Sequence, residues 1–217
     1  MRILLASTNQ GKIAELNDML GRAGLEVVGL GDLATTEEIE TGSSFAENAL
    51  LKARYYRKAS GLITLADDSG LEVDALGGAP GVYSARYGGA GASDEERVNK
   101  LLNALKEVPP EHRAARFVCV AAIAWDGGEQ TFTGEAPGRI LAEPRGQAGF
   151  GYDPVFFYEP LGRTFAELTT TEKAEVSHRG SAFRQLAGWL READVLDRLK
   201  PGDRIDTPTG DSFACSQ

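Results

Sequence analysis

Phe117-Val118-Cys119-Val120-Ala121-Ala122-Ile123-Ala124-Trp125, then Asp126-Gly127-Gly128, then Gln130-Thr131-Phe132-Thr133, is the stretch whose reading decides the fold. The first nine residues are nearly all apolar and end at turn formers, which predicts a long buried strand. Asp-Gly-Gly supplies the turn, and the residues after it read as a hairpin partner. A hairpin is antiparallel, so at least this part of the sheet cannot be purely parallel.

Upstream the pattern changes. Residues 2–6 read as a short buried strand, and from Gly11 the spacing of Ile13, Leu16, Leu20 and Ala23 predicts a helix. Residues 26–30 read as a second strand. Ser43 or Ser44 can cap a further helix in which Phe45, Ala49 and Ala53 share a face that Tyr56 continues. Residues 62–66 predict a strand that ends at Asp67-Asp68-Ser69-Gly70. Strands alternating with helices in this half, and a hairpin in the middle, predict an α/β protein with a mixed sheet.

Downstream, residues 77–92 form a loop rich in Gly and Pro. Ser93 with Glu96 makes a capping box that opens an amphipathic helix through Leu105, and Pro109-Pro110 stops it. Residues 146–154 are a second Gly-rich loop, 155–158 are strand-like, and 179–199 carry the apolar positions Phe183, Leu186, Leu190 and Leu196 of a last helix. The expected organisation is one domain over residues 1–199 and a loose tail over 200–217.

The 217 residues carry 42% hydrophobic and 25% charged side chains, ordinary for a folded domain with a sizeable core. The apolar start at residues 3–6 is too short to be expected as a leader segment, and no apolar run reaches the ~18 residues of a membrane helix, so no membrane association is expected. Cys119 and Cys215 lack the spacing of a metal or redox pair, which fits a reducing, cytoplasmic home. The net charge of −9 comes from 23 basic against 32 acidic residues. Such a surface repels polyanions and argues against nucleic acid as a partner. A small anion needs only a few local cations.

Four constellations carry candidate chemistry. Ser7-Thr8-Asn9-Gln10-Gly11-Lys12 lies between a strand and a helix, where unpaired N–H groups, hydroxyls and a lysine suit phosphate; a plain N-cap with a surface lysine is the alternative. The glycine spacing is not that of a Walker A loop. Asp67-Asp68 alternate faces on a strand, so one carboxylate can enter a cleft while its neighbour holds the loop; a solvated turn is the alternative. Gly149-Phe150-Gly151-Tyr152-Asp153-Pro154 offers close backbone approach, aromatic rings and an acceptor, or else a turn with buried aromatics. Ser177-His178-Arg179, preceded by Lys173, reads as a binding cluster or as a capped helix start with exposed polar side chains. A fifth pattern, Gly29-x-Gly31-x-x-Ala34, imitates a dinucleotide fingerprint, although the residues after it open a helix poorly.

Taken in this order, the motifs resemble those of the non-canonical purine nucleoside triphosphate pyrophosphatases, also called dITP/XTP or inosine triphosphate pyrophosphatases. The matching stretches are residues 7–12, Glu40-Thr41-Gly42 running through Phe45 to Lys52, residues 66–89, 149–156 and 177–179. Within the third, Gly77-Gly78-Ala79-Pro80-Gly81 and Tyr83-Ser84-Ala85-Arg86-Tyr87 are the most diagnostic. The resemblance implies an elongated mixed sheet with flanking helices, two lobes around a central cleft, and a homodimer. It implies Mg²⁺-dependent hydrolysis of ITP, dITP or XTP to the monophosphate and pyrophosphate. By the same resemblance, Asp68 is the general base, and Asp68 and Glu40 are the Mg²⁺ ligands. Residues Ser7, Thr8, Asn9, Gln10, Gly11, Lys12 and Lys52 hold the triphosphate, and Ser69 touches substrate. Phe150, Gly151, Tyr152, Asp153, Lys173, His178 and Arg179 line the base and sugar pocket. The chain departs from the family after Lys200. A dinucleotide-dependent oxidoreductase and a non-catalytic nucleotide sensor are the competing readings.

Overall fold

The computed structural model describes residues 2–8, 26–33, 40–192, 195 and 199. The expected first helix, the Asn9–Lys12 part of the phosphate motif, Ala34 and the tail lie outside these residues.

Among the described residues, seven strands make one sheet: β1 (Arg2–Leu5), β2 (Glu26–Val28), β3 (Ile63–Val73), β4 (Ala114–Trp125), β5 (Gly128–Ile140), β6 (Phe156–Tyr158) and β7 (Arg163–Thr164). Their order is β2-β1-β3-β4-β5-β6-β7. β1 pairs parallel with β2 and with β3, and every later pairing is antiparallel. The mixed α/β sheet read from the hairpin is therefore the fold observed.

β3 differs from its reading. It does not stop at Asp67 but runs on through Ser69 and Gly70 to Val73. Local chemistry favours a turn there, but the non-local ladder against β4, from Thr64 opposite Ala124 to Val73 opposite Ala115, overrides it. β1 pairs with β3 only as far as Leu5 opposite Leu65. Beyond that point β3 continues with one edge uncovered by β1. The parallel half of the sheet ends where the antiparallel half goes on.

Among the described residues, four α-helices flank the sheet: α1 (Phe45–Ser60), α2 (Asp94–Ala104), α3 (Thr170–Val176) and α4 (His178–Trp189). Ser44 caps α1 by accepting from the Glu47 N–H, and Gly61 closes it at φ 72°. Phe45, Ala49, Ala53 and Tyr56 are its buried apolar face, at the spacing of one helical stripe. α2 opens with the expected Ser93–Glu96 capping box. Ser177 caps α4, as expected, by accepting from the Gly180 N–H. α4 ends at Trp189, short of the helix expected to Leu199.

Alternation along the strands splits the core. Leu4, Ala66, Val118, Val120 and Ala122 pack with α1 on one face of the sheet. Ile3, Leu65, Cys119, Ala121 and Ile123 pack with Ala182, Phe183 and Leu186 of α4 on the other. At the far ends of β3 and β4 a third cluster gathers Leu71, Val73 and Phe117 with Leu101, Phe156 and Phe165. The middle of β3, Asp67 to Gly70, lies between these apolar bodies.

Candidate active site

A cavity of about 770 Å³ opens along the uncovered edge of β3. Because the edge is open, side chains from both faces of the strand reach it. Asp68 points toward α1, where it accepts from Asn48 Nδ2 at 3.0 Å. Its other carboxylate oxygen accepts from the Ser69 N–H at 2.9 Å. Asp67 and Ser69 point to the opposite face. There the Arg179 guanidinium lies 3.6 Å from Asp67 Oδ2 and donates to Ser69 Oγ at 3.1 Å. The alternation read from the sequence thus assigns Asp68 to the cleft and Asp67 to a supporting ion pair.

On the α1 side, Lys52 Nζ donates to the Asp67 carbonyl at 2.9 Å and forms an ion pair with Glu40. Burial works against a charged Lys52. The surrounding Glu40, Asp67 and Asp68 outweigh it and hold the ammonium above the ordinary lysine value. Ser7 and Thr8 line the same end of the cavity.

The other end is built from the Gly149–Asp153 loop, α3 and the start of α4. Gly149 has φ +79°, and a Cβ there would lie 2.1 Å from Asp153 Oδ2, so only glycine fits. Asp153 accepts from the Phe150 N–H at 2.9 Å and from Lys173 Nζ at 2.6 Å. Both side chains of this ion pair are under a tenth exposed. Lys173 Nζ lies 4.7 Å and Arg179 Cζ 5.5 Å from the Phe150 ring centroid, cation–π distances. His178 stacks on Phe117 at 4.7 Å and 9°. Tyr152 donates its hydroxyl to the Ser84 carbonyl at 2.9 Å, and burial raises the phenol above its ordinary value, keeping it a donor.

Every candidate residue within the described set, from Ser7 and Thr8 through Glu40, Lys52, Asp68 and Ser69 to Phe150, Gly151, Tyr152, Asp153, Lys173, His178 and Arg179, lines this one cavity. The helix start at Ser177, His178 and Arg179 is not an exposed polar cap: all three are buried. Sequence reasoning missed Asn48 and the clamp made by Asp94, whose carboxylate accepts from the Gly151 N–H at 2.6 Å while pairing with Arg97. Partial burial opposes ionisation of Asp94, but the Gly151 N–H and Arg97 bring it below the usual carboxylate value. Both residues sit in helix first turns and read as ordinary capping chemistry. No sequence signal separates them from it.

Solved structures fix the class first. The HAM1 protein from Coxiella burnetii is 44% identical and superposes with a TM-score of 0.83, over 89% of this chain and 100% of that one. Sequence comparison agrees. A dITP/XTP pyrophosphatase of Yersinia pseudotuberculosis is 51% identical over 195 residues, 88% of this chain and 99% of that protein. A dITP/XTP pyrophosphatase of Thermus thermophilus is 51% identical over 187 residues, 86% of this chain and 90% of that protein. The Ham1 family model matches residues 3–189. The chain belongs to the Ham1 family, and the resemblance read from its motifs is borne out.

Proposed function

We propose that this chain is a nucleoside triphosphate pyrophosphatase that hydrolyses deaminated purine nucleotides (ITP, dITP and XTP) to the monophosphate and pyrophosphate. The observation that carries this reading is the division of a single cavity. One end holds Lys52, hydroxyls and two carboxylates; the other holds an aromatic ring flanked by Lys173 and Arg179. A triphosphate needs the first end and a purine needs the second. The relatives named dITP/XTP pyrophosphatase support the substrate class.

In this reading Asp68 is the general base. Its carboxylate accepts from Asn48 and the Ser69 N–H, so it is fixed in orientation. It takes a proton from a water that attacks the α-phosphorus. The bond from that phosphorus to the oxygen bridging to the β-phosphate breaks, and pyrophosphate leaves. Phosphoryl-type transfer depends mainly on positioning and charge neutralisation, which Ser7, Thr8 and Lys52 supply to the triphosphate.

The donor set fits Mg²⁺. Glu40 and Asp68 offer hard carboxylate oxygens in the same cavity, both near enough to Lys52 to act on its charge. Among the described residues no cluster of three or more His, Cys, Asp or Glu side chains forms a closed cage. Mg²⁺ typically takes one or two carboxylates and completes its shell with water and phosphate oxygens. When bound, the ion supplies charge neutralisation at the phosphates.

Base choice follows from donors. Lys173 and Arg179 present N–H groups beside Phe150, and hypoxanthine and xanthine carry an oxygen at C6 where adenine carries an amino group. A donor facing a donor disfavours adenine, by up to roughly 10⁴–10⁵ in a well-buried site. The test is to incubate the protein with Mg²⁺ and, separately, ITP, dITP, XTP, ATP and GTP, and to measure pyrophosphate and orthophosphate. Pyrophosphate from the first three alone is the expected result. Orthophosphate would move the attack to the terminal phosphate and sink this reading, as would no release at all.

A further inference from the structure

Asn48 is a buried amide on α1, and both of its ends are used. Its Oδ1 accepts from the Gly42 N–H at 2.7 Å, and its Nδ2 donates to Asp68 Oδ2 at 3.0 Å. One side chain therefore ties together two segments that are far apart in sequence, the Glu40–Gly42 turn and the middle of β3. The approach at Gly42 is close. A Cβ there would fall 2.6 Å from Glu47 Cβ and 2.9 Å from Asn48 Oδ1, so the turn lies flat on the first turn of α1. The neighbouring Glu47 closes the same turn by accepting from the Ser43 N–H at 2.7 Å.

The consequence is geometric. An aspartate has two torsions to fix, and Asp68 has one oxygen held by its own strand at Ser69 and the other by Asn48. Remove the Asn48 donor and Asp68 Oδ2 loses the hydrogen bond that ties it to α1. Remove the Asn48 acceptor and the segment bearing Glu40 loses a buried tie. A buried amide is costly unless both ends are bonded, and this one is bonded only to the two segments that carry the carboxylates of the cleft.

We infer that Asn48 is a positioning residue that sets the orientation of Asp68 and locks it to the Glu40 turn. The inference rests on the proposed role of Asp68 as the base. Asn48 does not itself touch the reacting atoms. Its loss should therefore lower kcat while leaving KM for the nucleotide nearly unchanged. Misplacement of a reacting group by about 1 Å costs on the order of 10²-fold in rate.

Two substitutions separate the arms. Asn48→Leu, close in volume, removes both contacts. Asn48→Asp keeps an acceptor for Gly42 but turns a carboxylate oxygen toward Asp68. With ITP and Mg²⁺, both variants should lose about 10²-fold in kcat with KM within a few-fold of the parent. A wild-type kcat in Asn48→Asp, alongside an inactive Asp68→Asn control, overturns the positioning role and leaves the base intact. Turnover in the control instead removes the base, and this inference falls with it. A stability cycle needs no activity. Combining Asn48→Asp with Asp68→Asn restores an amide–carboxylate pair of reversed polarity, so the double variant should regain most of the Tm lost in Asn48→Asp. Additive losses would show that the two side chains are not coupled and would refute the inference, even if the single variants fold poorly.

Discussion

Around Asp68 the polar groups come from α1, the Glu40 turn and the free edge of β3. Around Asp153 they come from the Gly149–Asp153 loop, α3 and the start of α4. The first region sets three carboxylates, Glu40, Asp67 and Asp68, around the buried Lys52, with Arg179 pairing Asp67 from the other face of the strand. The second pairs one cation with one buried carboxylate, then sets that cation and Arg179 against a phenyl ring. Surplus acid invites further positive charge, whether from a metal or from a phosphate-bound cation. A neutralised pair beside a ring invites a flat, polar-edged heterocycle. Arg179 joins the regions, because it reaches Asp67 and Ser69 on one side and Phe150 on the other.

The contrast breaks most visibly at Asp68. Asp68→Asn should lower kcat by roughly 10²–10⁴-fold, the usual contribution of a general base. Near-normal turnover would mean that the acidic region only holds charge. Next comes the ring region's buried pair. Lys173→Ala leaves the Asp153 charge without its ammonium and should cost about 3–5 kcal/mol in urea unfolding, far more than any exposed pair. A loss under 1 kcal/mol would show that the pair is solvated in solution. Phe150→Ala should raise KM for ITP about tenfold and change kcat less, since stacking on a base is worth about 1–3 kcal/mol. An effect confined to kcat would place Phe150 with the chemistry rather than the ring.

The smallest effect sharpens the support beneath Lys173. Glu172 pairs with Arg163 at 2.6 Å and caps α3 with Thr169, which together lower its carboxyl to about 2 from 4.5. A depressed folded-state value means that this contribution is present above 4.5 and is lost as pH falls toward 2. Glu172→Gln should therefore melt slightly below the parent at pH 7, with the gap closing through that window. Because the Arg163–Glu172 pair is partly open to solvent, added salt should shrink the gap as well. A gap that widened on acidification would contradict the assigned pairing.

Much of this was legible in the chain itself. The apolar run at Phe117 and its Asp-Gly-Gly turn announced the antiparallel half, and the capping residues Ser44, Ser93 and Ser177 are where the helices start. The described candidate residues meet in one cavity because the middle of β3, the Gly149–Asp153 loop and the start of α4 face the same edge. What could not be read was set by partners distant in sequence. Asp67 to Val73 is strand because β4 pairs with it, whereas its own residues favour a turn. His178 is buried because Phe117, sixty-one positions earlier, stacks on it. Asn48 and Asp94 carry no local mark of the carboxylate and the backbone amide they hold.

The uncovered edge of β3 has a further consequence. An open strand edge is a template on which another chain can add a strand, and proteins that keep one must blunt it. Here the Asp67 carbonyl is taken by Lys52, the Ser69 N–H by Asp68, the Leu71 N–H by Ser84 and the Val73 N–H by the Ala79 carbonyl. The side chains that furnish the cleft thus also act as its gatekeepers against aggregation. Removing Lys52 or Asp68 exposes a backbone group that a neighbouring molecule can claim.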